Sequence, residues 1–162
     1  MKGEIKMRKI KLALVQFESK IKDVEYNVSK GLDFINQASA ENVDLIVFPE
    51  LFSTGYNLDL IGTQYHDLAE GLEGPTVSTF QEHARSHNMN VVIPIAFQSE
   101  LQGVIYNSAI IIDRNGEIKG VYHKTHLWAG ERLYFKEGDD LPVFDLDFGK
   151  IGVMICYDGG FP

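Results

Sequence analysis

Residues 43–48, with the sequence VDLIVF, are apolar except for Asp44, and the run ends at Pro49. An apolar run of this length, too short for a stable helix, is typical of a strand buried on both faces of a sheet. Proline has no N–H to donate to a neighbouring strand, so the strand should stop there and leave Glu50 just beyond its end. This segment therefore predicts a buried sheet at the centre of the fold.

Predicted strands and helices alternate on both sides of this run. Before it, residues 9–17 predict a strand, and apolar residues spaced by three or four after Asp23 predict an amphipathic helix with Asp23 as its N-cap. After it, Pro75 opens a second helix, and residues 90–97 predict another strand, in which Pro94 suggests a sheet edge or a bulge. The alternation indicates an α/β protein.

Residues 104–124 predict a hairpin, because Asn-Gly at 115–116 separates two apolar runs. Asn-Gly supplies the positive φ angles of a tight two-residue turn. Residues 125–142 are polar and contain glycine, which predicts a loop, and residues 150–156 predict a last strand that ends at the cysteine. The hairpin adds an antiparallel part to the sheet.

The composition excludes several classes of function. The chain has 162 residues, 44% hydrophobic and 23% charged, which is typical of one globular domain. Its 15 basic and 23 acidic residues give a net charge of -8, so no positive field attracts nucleic acid or a membrane surface. No run approaches the ~18 apolar residues of a membrane span, and the first residues lack the apolar block of a secretory signal. We therefore expect a cytoplasmic protein.

Three polar residues each follow a predicted strand: Glu50, Lys124 and Cys156. Strand ends in α/β proteins are where side chains converge on ligands. A carboxylate, an ammonium and a thiol suffice for acyl transfer, as base, oxyanion-stabilising cation and nucleophile. The alternative is that Glu50 and Lys124 are surface charges and that Cys156, the only cysteine, is a small core residue. The pattern alone leaves both interpretations open.

Three blocks of the sequence resemble the signature blocks of the nitrilase superfamily of carbon-nitrogen hydrolases. They occur in the family's order, at residues 44–52 (DLIVFPELF), 122–127 (YHKTHL) and 152–158 (GVMICYD). The resemblance extends over residues 9–162 and implies a partial αββα sandwich of the α/β class, truncated after the strand that carries the nucleophile. Residues 1–8 would then be an N-terminal extension, and 9–162 a hydrolase domain without its C-terminal part.

The resemblance also implies a role for each site residue. Glu50 would be the general base, Lys124 the cation that stabilises the oxyanion, and Cys156 the nucleophile. Glu131 would help to place substrate and water, and the backbone N–H of Tyr157 would complete the oxyanion site. The mechanism implied by the resemblance requires no metal or cofactor.

The implied reaction is hydrolysis of a small-molecule amide to a carboxylate and ammonia through a cysteine thioester. Tyr157-Asp158 resembles the amidase-like branches, whereas nitrilases proper usually carry Trp-Glu there. Hydrolysis of N-carbamoyl amides or of nitriles stays open, since these reactions use the same triad. Because family members commonly self-associate, a homo-oligomer is expected. An alternative of another class is a truncated, non-catalytic relative that acts only by association through uncovered sheet or apolar surface.

Overall fold

The computed structural model describes residues 9–162, so the predicted extension over residues 1–8 lies outside the described part of the chain. Its main sheet has five strands in chain order: β1 (Leu12–Leu14), β2 (Leu45–Val47), β3 (Asn90–Gln98), β4 (Ile105–Ile112) and β5 (Ile118–His123). The first three strands are parallel to one another, and β4 and β5 continue the sheet in antiparallel pairing. The predicted α/β class with an antiparallel part is confirmed.

Two longer helices, α1 (Val24–Ala40) and α4 (Pro75–Ser86), pack on one face of this sheet. Between them in the chain lie two one-turn helices, α2 (Leu58–Ile61) and α3 (Tyr65–Leu68). The N-cap prediction for α1 is confirmed, because the Asp23 side chain accepts a hydrogen bond from the backbone nitrogen of Tyr26. Ile35 of α1 and Phe80 of α4 are fully buried in one apolar cluster with strand residues such as Ile93. Within residues 9–162, no helix is long and apolar enough to cross a bilayer.

A two-stranded sheet covers part of the opposite face. Its strands are β6 (Phe144–Leu146) and β7 (Gly149–Ile151), which pair antiparallel. Phe144 and Leu146 pack against Leu45, Ala109 and Ile111, which all point to this side of the main sheet. The described chain is therefore layered as helices, main sheet and small second sheet.

The predicted last strand over residues 150–156 is wrong in extent. The ladder between β6 and β7 ends at the pair Phe144 and Ile151, and residues 152–155 belong to no strand. Cys156 instead opens a 3-10 helix over Cys156–Gly160. A strand needs a neighbour for its backbone hydrogen bonds, and the apolar pattern of 150–156 does not reveal that β6 offers only three residues of pairing. The nucleophile candidate therefore sits in a turn and not at a strand end.

The predicted two-residue turn of the hairpin between β4 and β5 is wrong in length. The hairpin exists, but its loop has three residues: Asp113 and Glu117 pair through a 2.9 Å backbone hydrogen bond, and only Gly116 has positive φ, at 77°. This is a type I turn closed by a glycine bulge, in which Asn115 needs no left-handed conformation. Asp113 stabilises it by accepting hydrogen bonds from the backbone nitrogens of Asn115 and Glu117.

Pro94 lies in the middle of the sheet, not at an edge or a bulge. β3 pairs with strands on both sides, and its register with β4 runs without interruption through Pro94 and Ala109. Its pairing with β2 stops at Val92, and beyond that point the Phe52 nitrogen donates to the Pro94 carbonyl oxygen. The missing N–H of proline therefore faces a loop, where no ladder hydrogen bond is lost.

Candidate active site

Glu50 lies in the turn that follows β2. The backbone nitrogens on both sides of the turn donate to β3: Phe48 to the Val92 carbonyl and Phe52 to the Pro94 carbonyl, each at 3.1 Å. The turn is therefore fixed to the central strand at both ends, and it directs the Glu50 carboxylate to the amide side chain of Asn107 in β4.

Lys124 lies one residue beyond β5 and is fully buried. Its ammonium donates to Glu50 Oε1 at 2.6 Å and to both carboxylate oxygens of Glu131 at 2.9 Å. Burial acts to lower the pKa of Lys124, but the hydrogen bonds and charges of the two carboxylates outweigh it and hold that pKa above its usual value. Lys124 therefore carries its charge inside the protein at neutral pH.

Glu131 belongs to a 3-10 helix over Ala129–Leu133, within the segment predicted as a loop. Like Lys124, its side chain is fully buried. Besides the ammonium of Lys124, the carboxylate accepts a hydrogen bond from the backbone nitrogen of Trp128. Its own carbonyl accepts from the nitrogens of Tyr134 and Phe135, which fixes the helix turn around it. The side chain and the backbone carbonyl of Glu131 are therefore both fixed by hydrogen bonds within its own segment.

Asn107 joins the two carboxylates, a role that the sequence analysis did not assign to it. Its side-chain nitrogen donates to Glu50 Oε1 at 2.7 Å and to Glu131 Oε1 at 3.1 Å, and the residue is fully buried. The signal in the sequence is a polar residue in the apolar strand IYNSAIII, at a position that shares its face with Ala109 and Ile111. The buried carboxylate of Glu131 and the half-buried carboxylate of Glu50 are therefore joined by two donors, one charged and one neutral.

Cys156 adopts a positive φ of 49° at the start of its 3-10 helix. Partial desolvation of the thiol is the largest cause that raises the pKa of Cys156, followed by the negative charge of Glu50. The ammonium of Lys124 lowers this pKa. The net result is a pKa above the usual cysteine value, so the thiol is protonated at neutral pH, and the carboxylate whose charge acts on it can accept its proton.

Three aromatic residues border the same site. Burial and the negative charges of Glu131 and Glu50 raise the pKa of Tyr56. Tyr56 and Trp128 line one cavity of about 400 Å³. Tyr157, whose backbone N–H is the predicted oxyanion donor, packs its ring edge-on against Trp128 with centroids 5.0 Å apart. Tyr56 has no signal in the sequence beyond its place six residues after Glu50.

The structure therefore brings four of the predicted residues into one cluster, in which Glu50, Lys124 and Glu131 are linked by hydrogen bonds and Cys156 lies beside them. A neutral thiol, an adjacent carboxylate and a buried ammonium can together perform nucleophilic attack on a carbonyl carbon. Within residues 9–162, no group of three or more His, Cys, Asp or Glu side chains is arranged to hold a metal ion.

Comparisons with known proteins give consistent matches. The carbon-nitrogen hydrolase family profile matches residues 11–162. The chain is 40% identical to a probable nitrilase of Schizosaccharomyces pombe, covering 95% of this chain and 57% of the relative. It is 35% identical to an (R)-stereoselective amidase of Pseudomonas sp., covering 94% and 53%, and 33% identical to the N-carbamoylputrescine amidase of Arabidopsis thaliana, covering 100% and 55%.

A solved structure shares the fold of this chain. Nit3 of Saccharomyces cerevisiae, a member of the nitrilase superfamily, superposes with a TM-score of 0.83 at 29% identity, covering 94% of this chain and 57% of that one. The chain thus spans little more than half the length of the relatives that it matches.

Proposed function

Since the chain belongs to the carbon-nitrogen hydrolase family, within the nitrilase superfamily, we propose that its site hydrolyses a small-molecule amide to a carboxylate and ammonia. The observation that carries the proposal is the hydrogen-bonded cluster of Glu50, Lys124 and Glu131 beside the thiol of Cys156. The proposal includes the domain limits, with residues 9–162 as the N-terminal part of the hydrolase domain. It also includes self-association and a cytoplasmic location.

In the first half-reaction, the Cys156 sulfur attacks the amide carbon while Glu50 accepts the thiol proton. The carbonyl double bond becomes a C–O⁻ bond, and this oxyanion is stabilised by the Lys124 ammonium and the backbone N–H of Tyr157. The C–N bond then breaks, and Glu50 returns its proton to the departing nitrogen, which leaves as ammonia. A thioester on Cys156 remains.

In the second half-reaction, water attacks the thioester carbon while Glu50 takes a proton from the water. The C–S bond breaks, the carboxylic acid is released, and the proton on Glu50 returns to the sulfur. Glu131, held by Lys124 and the Trp128 nitrogen, orders the substrate and the water without exchanging a proton. The raised pKa of Cys156 supports base-assisted attack by a neutral thiol over attack by a preformed thiolate.

The test is ammonia release from a panel of amides, N-carbamoyl amides and nitriles by the full 162-residue chain. We expect amides to be the best substrates, Cys156→Ala to abolish turnover, and Asp113→Asn, in the distant hairpin turn, to retain it. If carbamoyl compounds or nitriles are the better substrates, the proposed triad stands and the proposed substrate class is wrong. An inert chain that forms defined assemblies would overturn the proposal in favour of a non-catalytic, associating relative.

A further inference from the structure

The carboxylate of Asp158, two residues after Cys156, has no role in the proposed reaction, yet it is almost completely buried. Its Oδ2 accepts a hydrogen bond from the backbone nitrogen of Ile155 at 2.9 Å, and its own nitrogen donates to the Ile155 carbonyl at 3.1 Å. These two bonds close a ring around Cys156. A non-glycine residue with positive φ is strained, so its conformation depends on such bonds.

The same carboxylate binds the segment on either side of Lys124. Oδ2 accepts from the Tyr122 hydroxyl at 2.6 Å, and Oδ1 accepts from the His126 backbone nitrogen at 2.9 Å and from the Thr125 hydroxyl at 3.1 Å. The His126 ring nitrogen Nδ1 lies 3.1 Å from Oδ1. All of these donors lie within two residues of Lys124 in the sequence. One side chain therefore ties the turn of the thiol to the strand end of the ammonium.

An ionised carboxylate suits this position, because each partner offers a donor. Burial acts to raise the pKa of Asp158, but the hydrogen bonds from Tyr122, Ile155 and His126 outweigh it and lower that pKa. The residue stays charged at neutral pH and acts as an acceptor for every bond.

We propose that Asp158 is a positioning residue that holds the Cys156 thiol beside the side chains of Glu50 and Lys124. The inference rests on the proposed function. It assigns Asp158 no proton transfer and no contact with substrate. Without its carboxylate, the Cys156 turn loses the hydrogen bonds that connect it to the Lys124 segment. The thiol then moves away from the carboxylate of Glu50 and the ammonium of Lys124.

The experiment measures how strongly Glu50 influences Cys156, with and without Asp158. The groups that act on the thiol are Glu50, Lys124 and Glu131. Because Cys156 is the only thiol, the rate of alkylation by iodoacetamide against pH gives its apparent pKa in the native protein. Glu50→Gln should lower this pKa in the otherwise unchanged chain, since it removes a charge that raises it. In the Asp158→Asn background, we expect the shift to fall by about half or more.

The matched control is Asp113→Asn. Asp113 is also a buried aspartate that accepts backbone hydrogen bonds in a turn, but it lies in the β4–β5 hairpin, and we expect the full Glu50→Gln shift in this background. If Asp158→Asn does not fold, Tyr122→Phe removes one hydrogen bond to the carboxylate and keeps the ring, and a smaller loss of the shift is expected.

The outcomes separate the two proposals. A full shift in the Asp158→Asn background, or in Tyr122→Phe if only that variant folds, overturns the positioning role and leaves the proposed function intact. No shift on Glu50→Gln even in the unchanged chain overturns the proposed function, and the positioning role with it. A shift that is present in the unchanged chain and in Asp113→Asn but reduced in Asp158→Asn supports both.

Discussion

The two parts of the candidate site differ in how they are held. Lys124 and Glu131 are fully buried, and the Lys124 ammonium and both carboxylate oxygens of Glu131 are bonded to another member of the cluster or to backbone. Cys156, in contrast, is exposed, as are Met154, at 73%, and Phe161, at 43%, in the same part of the chain. The charges are therefore fixed by the core of the fold, whereas the thiol depends on a few hydrogen bonds of one turn.

This difference has a chemical consequence. A preorganised ammonium and carboxylate can stabilise developing charge without rearrangement during the reaction, because their partners are already in place. The nucleophile only needs to be held against them, and Asp158 supplies the bonds between the two regions. Variants that remove one partner should therefore affect stability most in the enclosed cluster and thiol reactivity most in the turn.

The largest expected effect is on the buried ion pairs. Lys124→Ala leaves the carboxylates of Glu50 and Glu131 without their cation, and we expect the free energy of unfolding to fall by about 3–5 kcal/mol. Lys150→Ala is the matched control, since it removes a lysine from an exposed ion pair with Asp145 and should cost at most about 1 kcal/mol. Urea titrations of both variants measure the difference. Equal losses of stability in the two variants would show that the ion pairs of Lys124 are no more buried than the exposed pair of Lys150.

A smaller effect is expected at the neutral donor of the same cluster. Asn107→Ala removes the hydrogen bonds to Glu50 and Glu131 but leaves Lys124 to neutralise them, so unfolding should become easier by about 1.5–3 kcal/mol. The exposed Asn115→Ala in the hairpin turn should change stability by less than about 0.5 kcal/mol. A negligible effect of Asn107→Ala in the same titration would mean that Lys124 alone holds the carboxylates.

An effect of similar size at neutral pH, which decreases in acid, is expected at the turn. Because the pKa of Asp158 is lower in the folded state, its carboxylate stabilises the fold above the usual aspartate pKa of ~3.9, and this stabilisation is lost as the pH falls through the lower folded value. Asp158→Asn should therefore lower stability at pH 7 by about 1.5–3 kcal/mol and by progressively less in acid. Denaturant unfolding across this pH range measures it. A loss that stays constant with pH would indicate that the charge of Asp158 is irrelevant.

Much of the fold is predictable from the sequence, because local rules decide it. Asp23 caps α1, Pro75 opens α4, and the apolar runs of β2 and β3 form strands, as the pattern predicts. The convergence of Glu50 and Lys124 follows from the tendency of strand ends to meet.

The remaining features depend on contacts that the pattern does not contain. The stretch 152–155 has strand-like residues but no partner in a ladder, and Cys156 therefore falls in a turn. Asn107 lies in an apolar strand, and only the approach of two carboxylates from separate loops gives its amide a function. In each case the deciding interaction comes from residues distant in the chain.

Whether the thiol and the carboxylate form one site is tested by the alkylation rate of Cys156 against pH in the native chain and in Glu50→Gln. We expect an apparent pKa above that of a free thiol, ~8.5, in the unchanged protein, and a lower value in Glu50→Gln because a negative charge that raises the pKa is removed. Glu82→Gln, on the outer face of α4, should leave the profile unchanged. A native profile equal to that of the chain unfolded in urea, with no response to Glu50→Gln, would contradict the assembly of thiol and carboxylate into one site.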